Sequence, residues 1–508
     1  MNAVFPGVHS SCKEGGLAWV DAVICIYLTI PVLIFCTWFK PIFALILAPM
    51  LVYGAWQSLA KTQWKQPVLP NKTLTVLASI ALTWVALGGT GHFFYANQDW
   101  VFRDAVLRDL SLTDWPPAYS PGTEYALLLR APVGYYLPAA LAGAIGGIRT
   151  ADIALYLWTA FGFFLVLVGA LTLFKSRAQR TIAVVLLLAF GGMDLVGYTI
   201  VNGITPYLGQ HIEWWAKFAQ YSSNSTLLFW APNHAIPAWL ATILTLRHWR
   251  QPELAKIAPL LGSCIPLWSP LAALGMLPFF LFGIDWRRDL VTLLSPKRAL
   301  PSALLALICA RYLTMGSEQI PGGWIFAPNA GIPSMFNLYA LLSFLEFGIL
   351  ALLLARLKAF NRIVGLATVV LCLLPLYRFG YGNDIVMRAS IPALLIFALA
   401  SVTPLAAPGR NDWRIILTLV LGIGILGSIQ EPIRAILTPR WPMTDMTLIE
   451  ASAKFSGIPE PVTYVTRLTQ PDMKLLLRDP KLVPVTNVAP LIISGKTAWP
   501  NQLDYPPK

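Results

Sequence analysis

Charged side chains are scarce in this chain, and four groups of them have types and spacings that could do chemistry. The first is Asn97-Gln98-Asp99-Trp100, followed by Arg103, Asp104, Arg108 and Asp109 and then by Trp115-Pro116. Asp99 is the first acidic residue after a long apolar run, so its backbone is tethered where a lipid-borne substrate meets water. A carboxylate placed there can take the proton of an attacking hydroxyl as general base. Asp104 is the rival for that role. Arg103 lies one turn beyond Asp99 if the segment is helical, and would keep it ionised. Such a helix, carrying Asp104 and Arg108, would line one aqueous vestibule. Local ion pairs on a solvated helix are the plainer account of Asp104 and Asp109.

The second group is Asp194 in Gly191-Gly192-Met193-Asp194, deep in an apolar stretch, where a lone carboxylate needs a partner or a proton. A structural contact between helices would serve equally. The third runs from His211-Ile212-Glu213-Trp214-Trp215 through Tyr221-Ser222-Ser223-Asn224 to Trp230-Ala231-Pro232-Asn233-His234. Aromatic faces beside amides and carboxylates suit sugar stacking and hydroxyl recognition. For Trp214 and Trp215 an interfacial aromatic belt is the plainer account, whereas His211, Glu213 and His234 read as binding residues. The fourth is Arg378, Tyr381, Asn383, Asp384 and Arg388, between two apolar runs. The planar fork of Arg388 suits a phosphate, and Arg311 is a further basic residue at the same level. An Asp384–Arg388 ion pair that merely fixes a short loop is the alternative. Glu346, inside an apolar run, has no evident partner. There is no nucleotide-binding loop, zinc pattern or Ser-His-Asp signature.

The elements that must position these residues are apolar. Of 508 residues, 56% are hydrophobic and 12% charged, about half the charge of a soluble domain. The expected fold class is an all-α membrane protein, a polytopic bundle of about thirteen spans in a bacterial inner membrane. The net charge of +13 does not indicate nucleic acid, because the basic residues fall in short loops between apolar runs, where they set orientation. Clusters at 61–72, 175–180, 247–256, 287–298, 356–362 and 410–414 predict a cytoplasmic N-terminus and a periplasmic C-terminus. The first apolar run reads as a retained span rather than a signal peptide. Five cysteines lie in apolar segments and Cys12 in the N-terminal tail, so they suggest neither a disulfide framework nor a metal set.

Two domains are expected: a membrane domain over 1–432 and a small periplasmic segment over 433–508. The first long periplasmic loop spans 95–151, and its apolar second half, from Pro132 to Gly147, reads as an interfacial helix. The run 256–284, broken by Pro259, Pro266, Ser269-Pro270 and Pro278, reads as a broken or re-entrant pair, because a single crossing would invert every later loop.

An acidic residue delivered by a span into a long first periplasmic loop, the run Pro132-Val133-Gly134-Tyr135-Tyr136-Leu137-Pro138, and a following span with a basic end together resemble the GT-C superfamily. These are polytopic glycosyltransferases that use polyprenyl-phosphate sugars. The resemblance covers about residues 73–180. It implies a catalytic acidic residue in the first loop and two interfacial helices there. The chain departs from many members in lacking a paired Asp-Glu, since Trp100 follows Asp99.

The enzyme reading has a polyprenyl-phosphate sugar as donor and a glycan, lipid or protein as acceptor. Arg388, Arg378 or Arg311 would hold the phosphate and Asp99 would act as base. No cofactor is required if arginines neutralise the phosphate, and the sequence leaves room for a divalent cation. The transporter reading, a flippase or carrier, would line a path with Asp194, Glu346 and Arg311.

Overall fold

The computed structural model describes Phe5 and residues 16–120, 126–326, 332–458 and 460–484. Cys12 and residues 485–508 of the expected C-terminal segment lie outside the described residues. The fold is mostly helical. Among the described residues, six helices are long and apolar enough to cross a membrane: Trp19–Trp38, Pro41–Leu59, Ile148–Leu171, Arg177–Asn202, Met335–Arg356 and Asp412–Leu437. A seventh results if Trp286–Leu293 and Pro296–Thr314, bent by 77° at their junction, count as one. Asn71–Leu87, Leu137–Gly146, Pro270–Gly283, Arg362–Leu376 and Ile391–Leu405 are apolar but shorter. The last of the long helices runs to Leu437, past the expected boundary at 432.

Glycine and proline account for the short lengths. The third apolar run, expected to continue to 94, ends at Leu87, with Gly89 left-handed at φ 94°. The indole of Trp100 lies so close over Gly89 that a Cβ there would sit 2.6 Å from Nε1. The helix therefore stops, and the chain turns through Thr90–His92 toward the first long loop.

The proline-broken run is a helical hairpin of Pro252–Trp268 and Pro270–Gly283. At about 25 Å and 20 Å by helical rise, neither arm matches a ~30 Å hydrocarbon core. The hydroxyl of Ser269 caps the second arm at Ala272 N. At the far end Arg250 N donates to Gly283 O over 2.7 Å, so the hairpin returns to where it began. Its tip meets the first long loop, where Gly134 N donates to Leu267 O at 3.0 Å.

The first long loop holds the helix Trp100–Leu112, strands Pro117–Tyr119 and Leu127–Leu129, and the helix Leu137–Gly146. The C-terminal segment is knitted into it. Strand Val465–Arg467 pairs antiparallel with Leu127–Leu129, and Lys481–Val483 pairs parallel with Pro117–Tyr119, completing a four-stranded sheet. The helix Leu448–Ser456, opened by a Thr447/Glu450 capping box, packs on Trp100–Leu112. Asp109 joins the two parts: its buried Oδ2 accepts from Tyr119 Oη and from Leu448 N, both at 2.9 Å.

A buried ion cluster ties the helices Trp19–Phe35, Ile148–Leu171 and Pro232–Arg247 together at the other end. Asp21 accepts from Arg247 at 2.6 and 3.1 Å and lies 3.1 Å from His248 Nε2, and Arg247 also reaches Thr172 Oγ1. Asp21 is wholly buried and Arg247 nearly so. Removing one partner of such a pair costs about 3–5 kcal/mol, because the other charge keeps its desolvation penalty. Asp21→Ala is therefore expected to lower the thermal unfolding midpoint of the detergent-solubilised protein by many degrees. An unchanged midpoint would remove this cluster from the determinants of the fold.

Candidate active site

The turn that ends the third apolar helix builds the site. Gly91 has φ 79° and His92 φ 51°, which turns their polar groups toward the helix Ile148–Leu171. Gly91 N donates to Asp152 Oδ1 at 2.8 Å, and His92 Nδ1 lies 3.1 Å from the same oxygen. On its other side His92 Nε2 lies 3.0 Å from Asp104 Oδ2. Arg149 closes the cluster, bound to Asp152 Oδ2 and to Gly91 O. Burial pulls the His92 imidazole down, but the carboxylates, Asp104 above all, more than offset this and raise it to about 10. His92 is thus an imidazolium clamped between two acids, and it fixes the roll of the helix Trp100–Leu112.

That clamp separates the two candidate bases. Asp104 is buried, committed to His92 and within 3.4 Å of Thr444 N, and its side chain does not open to solvent. Asp99, at the start of the same helix, has a side chain 48% exposed although protein surrounds it; it lines a recess. Burial raises its carboxyl from the ordinary value, Arg103 and then Arg388 oppose that, and Asp384 adds to it. His211 acts on Asp99 from the same recess. A carboxyl moved upward in this way is better matched to proton transfer near neutral pH.

Arg103 stands 3.9 Å from Asp99 and is held by Asn233 Oδ1 at 2.7 Å and Tyr136 Oη at 3.2 Å. Asn97 Nδ2 and Trp100 Nε1 both donate to Phe229 O, at 2.9 and 2.8 Å, which seats the start of the helix. His234 lies beneath, buried, with Nδ1 2.8 Å from Ser269 Oγ at the hairpin tip. Arg388 is ion-paired with Asp384 one turn before it, and both are partly exposed. His211 Nδ1 is 2.9 Å from Glu431 Oε1, and its ring lies 4.8 Å from that of Trp230. Glu431 also accepts from Trp230 Nε1 at 2.6 Å and binds Arg434. Tyr464 of the C-terminal segment completes the wall, since its hydroxyl feels Arg103, Tyr136, Asp99 and Arg388.

Several expected residues lie elsewhere. Arg311 is exposed and paired with Asp472 at 2.7 Å, so it holds the C-terminal segment and does not join the recess. Arg378 sits on the strand Tyr377–Phe379 with its guanidinium on Tyr381 O, and both side chains are exposed. Arg108 turns to Asp109 at 2.9 Å. Glu213 is buried and accepts from Thr226 Oγ1, Gln220 Nε2 and Ser223 N, so it organises its own loop. Asp194 is buried against Glu346 and Trp215. The structure therefore gathers Asp99, Arg103, His211, Asp384 and Arg388 around the recess with His234 below. It adds Tyr136, Tyr464 and the clamp residues His92 and Asp152, which the sequence did not single out. Among the described residues no three His, Cys, Asp or Glu side chains are placed to hold one metal ion.

Comparison with known protein families, curated proteins and solved structures finds no match for this chain.

The His92 clamp makes stability depend on pH. Its imidazole titrates near 6.5 when unfolded and near 10 when folded. The clamp's contribution is complete below pH 6.5 and disappears as pH rises through 10. Thermal midpoints measured across that interval are expected to fall in the wild type and to be lower and flatter in His92→Gln. Parallel curves for the two proteins would show that His92 carries no charge in the fold.

Proposed function

We propose that this chain is a membrane glycosyltransferase that moves a sugar from a polyprenyl-phosphate donor to an acceptor glycan, lipid or protein. One observation carries the reading: Asp99 is a half-open carboxylate at the mouth of a recess, with Arg103 at its flank and Arg388 within electrostatic reach. The GT-C resemblance of residues 73–180 points the same way. With the bent pair and all the shorter apolar helices counted as crossings, the spans would number twelve at most, one fewer than the sequence leads one to expect, and the basic loops would put the recess on the periplasmic face of a bacterial inner membrane.

In this mechanism the donor lipid enters between helices and its phosphate exchanges part of Asp384 for a place on the guanidinium of Arg388. A planar fork can hold two phosphate oxygens at once. Asp99 accepts the acceptor's hydroxyl proton as oxygen attacks the anomeric carbon from the face opposite the phosphate. The bond to the phosphate breaks, and the configuration inverts. Arg103, fixed by Asn233 and Tyr136, keeps Asp99 oriented and supplies the countercharge before the proton arrives.

A second reading, a flippase or carrier for a lipid-linked saccharide, draws on a different observation. The helix Arg177–Asn202 is broken at Gly191–Met193, beside the carboxyls of Asp194 and Glu346. Interrupted helices of this kind form carrier sites.

Single-turnover transfer with saturating donor separates the readings. Asp99→Asn is expected to insert and bind donor but to lose roughly 10²–10⁴-fold in rate, while Asp104→Asn loses stability first. Wild-type transfer in Asp99→Asn would sink the base assignment, and absence of any transfer by the wild type would favour the carrier. For the phosphate, Arg388→Ala is expected to weaken donor binding more than Arg388→Lys, which keeps the charge but not the fork. Equal donor affinity in both variants and the wild type would eliminate Arg388 as the anchor.

A further inference from the structure

The two acidic residues that the sequence leaves without partners meet each other. Asp194 opens the helix Asp194–Asn202, just after the break at Gly191–Met193. Glu346 lies in a π-helical turn, Phe344–Gly348, inside another long apolar helix. Such turns widen a helix by one residue and redirect a side chain. Here the turn sends Glu346 into the break: Oε2 stands 1.8 Å from where a Cβ on Gly192 would be, so only glycine admits it. Met193 N donates to Leu345 O, and Gly424 closes the far side, its own missing Cβ 2.3 Å from Gly191 O. Three apolar helices thus converge on one sealed point.

The pair is short of hydrogens. Trp215 Nε1 is 3.2 Å from Asp194 Oδ1 and 3.3 Å from Glu346 Oε1, so one indole hydrogen serves both. Asp194 Oδ2 and Glu346 Oε2 are buried with no donor, and the residues are 1% and 3% exposed. The charged groups acting on Glu346 are Asp194 and Glu213, both acidic; on Asp194 the first is Glu213, and His211 acts last. The helix Asp412–Ser428 brings no charge to this point: its glycines Gly424 and Gly427 face it. Two ionised carboxylates cannot hydrogen-bond to each other, whereas one acid and one carboxylate can.

We propose that Asp194 and Glu346 form a proton-binding site that holds one shared proton at the junction of the three helices. The proton takes the place that a buried cation fills elsewhere in the molecule. The site is linked to the recess through Trp215. Its ring lies flat under Gly197, 2.4 Å from the position of a Cβ, and it belongs to the same loop as His211 and Glu213. Losing the proton leaves two like charges that repel, so the carboxylates part and Trp215 Nε1 can follow only one of them; the indole shifts, and with it the loop that delivers His211. This inference is independent of the glycosyl-transfer reading, because it concerns the proton and not the sugar.

Infrared difference spectra of the purified protein in D2O test it. Asp194→Asn combined with Glu346→Gln keeps both shapes and needs no proton. Wild type minus the double variant is expected to show a protonated-carboxyl C=O stretch at neutral pH that bleaches at alkaline pH. A difference spectrum without that band at any pH would overturn the proposal. Should the double variant aggregate, Glu346→Gln alone is compared in the same way, with the same overturning result. The link to the loop is read by trypsin cleavage after the exposed Lys217, normalised to a soluble peptide. The wild type is expected to become severalfold more susceptible over the pH range in which the band bleaches, and the amide variant is not. Identical pH dependence in both proteins would refute the coupling.

Discussion

The position of Asp99 depends on the charge that His92 carries between Asp104 and Asp152. Asp99 and Asp104 are five residues apart, about 140° around a helix. Fixing Asp104 inward on the imidazolium therefore turns Asp99 outward to the recess. The clamp works because its three carriers are rigid relative to one another. The turn Thr90–His92 is forced by the indole of Trp100 over Gly89, Asp152 lies within the long helix Ile148–Leu171, and Arg149 neutralises the remaining carboxylate oxygen. A buried histidine without those acids would be neutral and would hold neither helix. The apparent redundancy of two aspartates in one loop helix is a division of labour: one orients the helix and the other is presented by it.

The same constraint, that a buried charge must be compensated where it stands, organises the rest of the molecule. Asp21 meets Arg247 and His248 across two helices, and Glu431 meets Arg434, His211 and the indole of Trp230. Each cluster joins elements distant in sequence, so each acts as a register pin as well as a countercharge. Asp194 and Glu346 obey the constraint differently, with acid against acid, and so require a mobile charge where the other sites have a fixed one. That difference makes this one cluster able to change state without unfolding.

The sequence was most legible where the signal is local. Apolar length located the long helices, prolines marked the hairpin at 252–283, and the basic ends of the runs required that it return on itself. Asp99, Arg103 and Arg388 stood out because ionisable groups beside apolar runs are costly. What was not legible is long-range. His92 lies twelve residues from Asp104 and sixty from Asp152, and a lone histidine after Gly88-Gly89-Thr90-Gly91 carries no signal of either. Tyr464 reaches the recess through strands of three residues, too short for an alternating pattern. Arg311 looked like a phosphate ligand because its partner, Asp472, lies in a polar segment read as a separate cap. The run to 94 was read as one span because composition does not register that Trp100 must pass over Gly89.

The ion pair between Arg388 and Asp384 bears on what the recess can bind. A guanidinium already satisfied by a carboxylate is a poor anchor if that carboxylate must leave, since separation in a sheltered site costs much of the pair's attraction. Here the carboxylate need not leave. Asp384 and Arg388 are one turn apart on a short helix whose first residue follows Asn383, held in the left-handed region at φ 54° with its amide on Phe218 O. Asp384 is paired through Nη1, so it can keep that contact and hold the fork in place while a phosphate takes other N–H groups of the guanidinium. On the glycosyl-transfer reading, Asp99 and Asp384 then balance Arg103 and Arg388 when the recess is empty, and the surplus positive charge that an arriving phosphate requires comes from His211 and Arg434 together, which share the single carboxylate of Glu431. On that reading a site balanced in this way favours a phosphorylated donor over a neutral sugar, and it loses that preference as the phosphate departs.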